Sequence, residues 1–155
     1  MSGHGAPSIN LEGADTLKVT VVSGMWHEKI ASGLLAGCLR VLDTVGCSYN
    51  VVHVPGSFEL PVASQAALTA GADCVVALGI IVRGGTPHFE YVSSAATMGL
   101  TNVALATGKP VGFGVLTVDN EEQALDRAGF ESSSEDKGAE AAEAALHTAL
   151  SLRQL

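Results

Sequence analysis

A run of nine residues from Cys74 to Val82 constrains the fold of this chain more than any other feature. Apart from Gly79, every residue in the run is apolar, and the charged residues Asp73 and Arg83 stand at its two ends. A strand without alternating polar residues offers no face to water, so it must be covered on both sides, as in a central parallel strand. The run is far too short to cross a bilayer. It therefore predicts a buried strand within a layered α/β domain.

Further strands and helices alternate on both sides of this run. Stretches of β-branched and apolar residues predict strands at 17–22, 49–54 and 110–118. Apolar positions at helical spacing predict helices at 27–45, 61–71, 89–107, 121–128 and 135–152. Such alternation predicts a four-stranded parallel sheet with right-handed crossovers and helices on both faces, an α/β three-layer sandwich. We expect residues 1–15 to be a flexible lead-in and residues 16–155 to form a single domain.

Charged residues make up only 15% of the chain, against about 25% in an ordinary domain. With 47% hydrophobic residues, the chain is not of the disordered class. Because 24 charged side chains cover the surface thinly, we expect copies of the chain to cover one another in a homo-oligomer. The net charge of −8, with no basic run, argues against nucleic acid and anionic membranes as partners.

Three cysteines, Cys38, Cys47 and Cys74, are odd in number and lack a CxxC spacing. They indicate reduced, buried thiols in a cytoplasmic protein, with neither disulfides nor a metal site. The N-terminus has no basic segment followed by an apolar stretch, so no secretory signal is expected.

One predicted helix carries no charge between Glu90 and Lys109. A helix that covers a sheet normally presents a charged face to water. Residues 91–108 instead offer Ser, Thr, Asn, Ala and Gly, which allow close approach of another helix. We expect this helix to pack against neighbouring copies, the alternative being a helix covered entirely within its own domain.

The carboxyl ends of the predicted strands are where an open α/β sheet binds ligands. The loop Arg83-Gly84-Gly85-Thr86 follows one strand. Its backbone N–H groups, with the start of the following helix, could hold an anion, and phosphate is the anion expected there. On its own, so short a glycine pattern is more typical of an ordinary turn. His88 follows the loop and is suited to proton transfer near neutral pH, or it is simply a helix-start residue.

Other candidates have equally plain structural alternatives. Trp26, Phe58 and Phe113 could stack on a planar ring or could be core residues. Glu59 could bind a polyol or amine, or be a solvated loop charge. Arg127 and Lys137 could neutralise phosphate or form surface ion pairs. No GxxxxGK[ST] or HExxH motif is present, and no GxGxxG follows the first strand, so neither a P-loop NTPase, a zinc protease nor a nicotinamide enzyme is indicated.

Taken together, these segments resemble the lumazine synthase family over nearly the whole chain, from about residue 17 to 152. The resemblance rests on VSGMWH (22–27), PGSFELP (55–61), ALGIIVRGGTPHFEYV (77–92), GVLT (114–117), EEQALDRAG (121–129) and DKG (136–138). It implies a flavodoxin-like fold and a transferase of riboflavin biosynthesis that needs no cofactor or metal. The family joins 5-amino-6-(ribitylamino)uracil to 3,4-dihydroxy-2-butanone 4-phosphate, giving 6,7-dimethyl-8-ribityllumazine, phosphate and water.

The resemblance also implies a role for each site residue. Trp26 would stack on the pyrimidine ring, Ser57, Phe58 and Glu59 would hold the ribityl chain, and the backbone of Ile80, Ile81 and Val82 would face the ring. Gly84, Gly85 and Thr86 would bind the phosphate, and His88 would move protons. Phe113 and Arg127 would come from a neighbouring subunit, with Lys137 nearby.

Two departures from the family pattern bear on assembly and binding. Gly85 occupies a variable position, and the stretch between Gly129 and Lys137 is longer than in capsid-forming members. The longer stretch favours a pentamer over a decamer or a sixty-subunit shell, with riboflavin synthase as a candidate partner. A non-catalytic riboflavin- or lumazine-binding homologue and a flavodoxin-like FMN carrier stay open as alternative functions.

Overall fold

The continuous apolar segment forms an inner strand of a parallel sheet. In the computed structural model, which describes residues 4–155, the strands are β1 (Lys18–Gly24), β2 (Ser48–Val54), β3 (Cys74–Val82) and β4 (Val111–Val118), and the helices are α1 (Glu28–Val45), α2 (Leu60–Thr69), α3 (His88–Thr107), α4 (Glu121–Leu125) and α5 (Lys137–Leu152). The strand order is β2-β1-β3-β4, and every pairing is parallel. Both the buried strand and the four-stranded parallel sheet are therefore confirmed.

Alternate residues of β3 supply two separate cores. Val76 and Leu78 belong to the cluster beneath α1 and α5, whereas Val75 and Ala77 belong to the cluster beneath α2 and α3. All four side chains are at most 1% exposed. Successive side chains of a strand point to opposite faces, so an unbroken apolar run is what a sheet covered on both faces requires. Helices on both faces were predicted, and this prediction is confirmed.

Helices α1 and α5 approach each other closely at Gly138. A Cβ atom built on this glycine would lie 2.0 Å from the carbonyl oxygen of Leu34, which no real contact allows. Leu34 itself is fully buried. Glycine is thus required here so that the two helices can pack at this distance.

The two predicted C-terminal helices are shorter than expected. Helix α4 ends at Leu125 and not at residue 128, and α5 begins at Lys137 and not at residue 135. The backbone between them forms loop hydrogen bonds, since the N–H of Glu135 donates to the carbonyl oxygen of Asp126 at 3.1 Å. The Asp136 carboxylate then accepts a hydrogen bond from the N–H of Ala139 at 3.0 Å, which sets the start of α5.

Helix α3 keeps large apolar side chains on its outer face. Tyr91, Met98 and Leu105 are 74%, 57% and 77% exposed, while only the opposite side of the helix is buried in the core. The alternative that the fold of one chain covers this helix entirely is therefore wrong. Within residues 4–155, none of the helices combines the length and the apolarity needed to cross a membrane.

Candidate active site

A pocket of about 660 Å³ opens where β1, β2 and β3 end and α3 begins. Ten of the residues predicted for the site line it: Trp26, Ser57, Phe58, Glu59, Ile80, Ile81, Val82, Gly84, Thr86 and His88. Phe89, Tyr91 and Val92 also line the pocket and were not among the predicted site residues. Their signal in the sequence was adjacency to His88. His27 lines the pocket too, and from the sequence it is a weaker candidate than His88 because it only follows Trp26 at a similar helix start. The carboxyl ends of three parallel strands meet here, as expected for ligand sites in such sheets.

The aromatic side chains of this pocket are available to a ligand. Trp26 is 68% exposed and Phe58 is 63% exposed, although both are large and apolar. Core packing, the alternative role for these two residues, is therefore wrong. Exposed rings beside a pocket can cover the face of a planar molecule, and burying them contributes the favourable free energy of desolvation.

The segment after β2 holds its polar groups in a fixed arrangement. Glu59 Oε2 accepts a hydrogen bond from the N–H of Gly56 at 2.9 Å, which leaves Oε1 as the carboxylate oxygen outside this local bond. The Ser57 hydroxyl is buried, and among the described residues it has no hydrogen-bond partner. A Cβ at Gly79 would lie 2.4 Å from Ser57 Oγ, so the glycine in β3 makes room for this serine.

The loop between β3 and α3 is open above its glycines. A Cβ built on Gly84 or Gly85 would meet no protein atom within 4 Å, so the space beside this backbone is free for a ligand. Thr86 Oγ1 accepts a hydrogen bond of 3.4 Å from the N–H of His88, and the His88 side chain lies at the exposed start of α3. Gly85 lies in the same loop but does not line the pocket.

Arg83, at the start of this loop, contacts protein side chains on both sides of it. Its Nε donates a 2.9 Å hydrogen bond to Asp119 Oδ1, and its guanidinium lies over the Phe89 ring at 4.4 Å from the ring centroid. The first contact joins the end of β3 to the end of β4, and the second joins it to the first turn of α3. They therefore stabilise the base of the loop that carries Gly84 and Thr86.

His27 is held in an unusual backbone conformation beside Trp26. Its φ of 58° and ψ of 64° are left-handed, and within residues 4–155 it is the only residue other than glycine with a positive φ. The imidazole Nδ1 lies 3.4 Å from Glu121 Oε1. Left-handed backbone is strained for residues other than glycine and persists where the surroundings enforce it, often at functional sites.

Three predicted residues lie in a different pocket of about 750 Å³, along β4 and the loop before α5. Phe113, Arg127 and Lys137 line it together with Glu135, and none of the residues that line the first pocket takes part. Phe113 is 45% exposed, so core packing is wrong for this aromatic residue as well. A single copy of the chain thus divides the predicted site between two surfaces.

Arg127 and Lys137 are joined by backbone and by acidic side chains. The N–H of Lys137 donates to the carbonyl oxygen of Arg127 at 3.0 Å. Glu135 Oε2 lies 3.6 Å from Arg127 Nε, and Glu135 Oε1 lies 3.2 Å from Lys137 Nζ. Although burial acts to lower it, hydrogen bonds to Glu140 and Glu135 raise the pKa of Lys137 above its usual value. The lysine is therefore charged at neutral pH, and the ion pairs foreseen as an alternative are present.

Within residues 4–155, no group of three or more His, Cys, Asp or Glu side chains is arranged to hold a metal ion. The first pocket supplies aromatic surface, a carboxylate, an open glycine loop and a histidine. The second supplies two cations and an aromatic ring. Side by side, such surfaces would suit a planar polar molecule together with a phosphorylated one.

Comparison with known proteins places the chain within one family. The family model described as 6,7-dimethyl-8-ribityllumazine synthase matches residues 16–153. Proteins of that name are similar to the chain over nearly their full length. One from Clavibacter sepedonicus is 66% identical, and the match covers 100% of this chain and 98% of the relative. One from Leifsonia xyli subsp. xyli is also 66% identical, and the match covers 100% of this chain and 99% of the relative. One from Streptomyces coelicolor is 53% identical over 100% and 97%. The chain belongs to the 6,7-dimethyl-8-ribityllumazine synthase family.

Proposed function

We propose that the first pocket of one copy and the Arg127–Lys137 surface of a neighbouring copy together form the site at which this transferase makes 6,7-dimethyl-8-ribityllumazine. The observation that carries the proposal is the placement of ten predicted site residues around one pocket at the strand ends. The family membership supplies the reaction, the condensation of 5-amino-6-(ribitylamino)uracil with 3,4-dihydroxy-2-butanone 4-phosphate. No cofactor takes part in this scheme.

In this proposal the first pocket orients the uracil substrate. The Trp26 ring stacks on the pyrimidine, and the backbone at Ile80–Val82 faces the ring edge. Phe58, Glu59 and the Ser57 segment hold the ribityl chain, for which Glu59 offers hydrogen-bond acceptance. Holding two substrates in a reactive arrangement accounts for much of the rate acceleration expected here, because the amine is already nucleophilic.

The open loop binds the phosphate group of the second substrate. Gly84, Gly85 and Thr86 provide donors from one copy, and Arg127 with Lys137 provides positive charge from the next. His88 transfers protons while the imine forms with loss of water, while phosphate leaves and while the ring closes. The phosphate dianion is stabilised as a leaving group by donors that are fixed before it departs.

The divided site also favours a particular kind of assembly. The family acts as homo-oligomers on small-molecule substrates, and the exposed apolar face of α3 (Tyr91, Met98 and Leu105) suits a contact between copies. We favour a homopentamer in which α3 lines the contacts around a five-fold axis. A cytoplasmic location and riboflavin synthase as a partner belong to the same proposal.

The decisive experiment mixes the two substrates with the purified protein and follows the absorbance of the lumazine product. We expect turnover by the wild-type protein and loss of phosphate-substrate binding in Arg127→Ala, since a principal cation is removed. A protein that binds lumazine or riboflavin tightly without forming product would instead support the non-catalytic alternative. A tightly bound flavin that undergoes reversible reduction would support an FMN carrier.

A further inference from the structure

The acidic side chain between Arg127 and Lys137 has no role in the scheme above. Glu135 places one carboxylate oxygen 3.6 Å from Arg127 Nε and the other 3.2 Å from Lys137 Nζ. Its side chain is only 15% exposed, and Lys137 is 14% exposed, so solvent screens this contact little. A single carboxylate therefore bridges the two cations assigned to phosphate.

The carboxylate is not needed to bring the two cations together. The backbone hydrogen bond from the N–H of Lys137 to the carbonyl of Arg127 already does so at 3.0 Å. The guanidinium is oriented separately, because Arg127 Nη1 donates to the carbonyl oxygen of Gln123 at 2.8 Å. Glu135 therefore adds a negative charge beside the two cations that are proposed to bind the phosphate group of the substrate.

Four charges balance in this cluster when no phosphate is bound. Arg127 and Lys137 contribute two positive charges, and Glu135 and Glu140 contribute two negative ones, with Glu140 Oε2 at 2.8 Å from Lys137 Nζ. Glu140 is 48% exposed, so its charge is screened more than that of Glu135. A phosphate monoester carries a charge of about −1.5 to −2 at neutral pH, and it must compete with the buried carboxylate for the same two cations.

We propose that Glu135 is a built-in counter-anion that exchanges with phosphate at Arg127 and Lys137. The carboxylate lowers the affinity of the cations for any phosphate group, and it occupies them again when inorganic phosphate leaves. It thereby makes release of the phosphate product easier, at the expense of weaker binding of the phosphorylated substrate. The inference rests on the proposed function, because it takes these two cations to be the phosphate site.

The test compares inorganic phosphate binding to the wild-type oligomer and to Glu135→Gln by calorimetry at fixed ionic strength. Glutamine keeps the shape of the side chain and removes its charge. We expect phosphate to bind more tightly, on the order of tenfold, since a unit charge close to both cations is lost. The inhibition constant for phosphate and the KM for the phosphorylated substrate should fall in parallel, whereas kcat should not rise.

Glu131→Gln is the matched control, because Glu131 is exposed in the same loop and the same charge is removed. Phosphate affinity in this variant should stay within about twofold of wild type, as expected for a screened surface charge. Weaker or unchanged phosphate binding in Glu135→Gln would overturn the proposal, and weaker binding would identify Glu135 as a residue that positions the cations. If Glu135→Gln fails to assemble, Glu135→Asp withdraws the charge by one methylene and should tighten phosphate binding less.

Failure of this proposal can be told apart from failure of the proposed function. Phosphate binding is measured without the uracil substrate, so it does not depend on turnover. A protein that forms no lumazine but binds phosphate more tightly as Glu135→Gln would refute only the synthase activity. Full lumazine formation with unchanged phosphate affinity in Glu135→Gln would refute only the counter-anion.

Discussion

Single side chains in the first pocket allow the proposed roles to be separated. His88 lies beside Thr86 at the open loop, in a position to exchange protons with a bound substrate. His88→Ala should lower kcat by roughly a hundredfold, the usual contribution of a general acid or base, while substrate affinity changes little. Steady-state kinetics of lumazine formation check this expectation, and unchanged turnover would contradict the role.

A second residue-scale prediction concerns the backbone at His27. Because its φ of 58° favours glycine, His27→Gly should be more stable than His27→Ala by about 1 kcal/mol, although glycine is usually the more destabilising replacement. Both variants lose the 3.4 Å contact with Glu121, so their difference isolates the backbone. Urea unfolding midpoints measure it, and equal stabilities would show that the left-handed turn carries no strain.

At this scale the sequence predicted residue types better than their contacts. Trp26, Phe58 and His88 were identified as candidates because they follow strands, and a strand end is visible in a hydrophobic pattern. The bridge from Glu135 to Arg127 and Lys137 could not be predicted, since it depends on loop hydrogen bonds between residues 126 and 137. Side-chain contacts across a loop leave no periodic signal in a sequence.

At the scale of whole elements, the apolar run at β3 and the helical periodicities predicted the sheet correctly. The bounds of Cys74–Val82 agree with the structure because charged residues mark both ends. The helices α4 and α5 were predicted too long because Arg127, Ala128 and Glu135 are good helix formers. The carbonyl oxygens of Arg127 and Glu135 instead accept loop hydrogen bonds from the N–H groups of Lys137 and Gly129. Hydrogen bonds across the loop therefore determine where α4 ends and α5 begins, and they override the local helix propensity.

The contact between α1 and α5 gives a prediction for an element pair. Gly138→Ala should destabilise the protein by about 1–3 kcal/mol, because the new Cβ cannot fit 2.0 Å from the Leu34 carbonyl and the helices must separate. Gly84→Ala is the control for stability, since its Cβ would meet no atom within 4 Å. Thermal unfolding of both variants measures the effect, and equal stabilities would show that the helices can shift at no expense.

For the whole molecule, the division of the site between two surfaces predicts complementation between inactive chains. Arg127→Ala and His88→Ala each damage one surface, so in the proposed assembly a mixed oligomer would contain sites in which an intact His88 faces an intact Arg127 of the neighbouring copy. After co-expression in equal amounts, roughly a quarter of the sites should recover if mixing is random. Activity of the mixed oligomer above that of either variant alone checks this, and no recovery would place both residues in one chain's site.

The buried thiols make the stability of the molecule depend on alkaline pH. Burial chiefly raises the pKa of Cys38 and of Cys74 to about 12, from 9.0 in the exposed state. The stabilisation is complete below about pH 9, where unfolded thiols are still protonated, and it is lost as pH rises towards the folded values. The urea midpoint should therefore fall as the pH rises from about 9 towards 12, and it should fall less in Cys38→Ala. A midpoint independent of pH in this range would contradict the burial of these thiols.

The exposed ring of Trp26 has a practical consequence for every measurement on this protein. It is the only tryptophan in the chain, and it lies at the mouth of the first pocket. Tryptophan fluorescence therefore comes from the first pocket alone, because the chain has no second tryptophan. Arrival of a ring on the indole face or closure of the pocket by a neighbouring copy would change that emission directly. The intrinsic fluorescence of Trp26 can thus report ligand binding in the first pocket and association of the copies without an attached label.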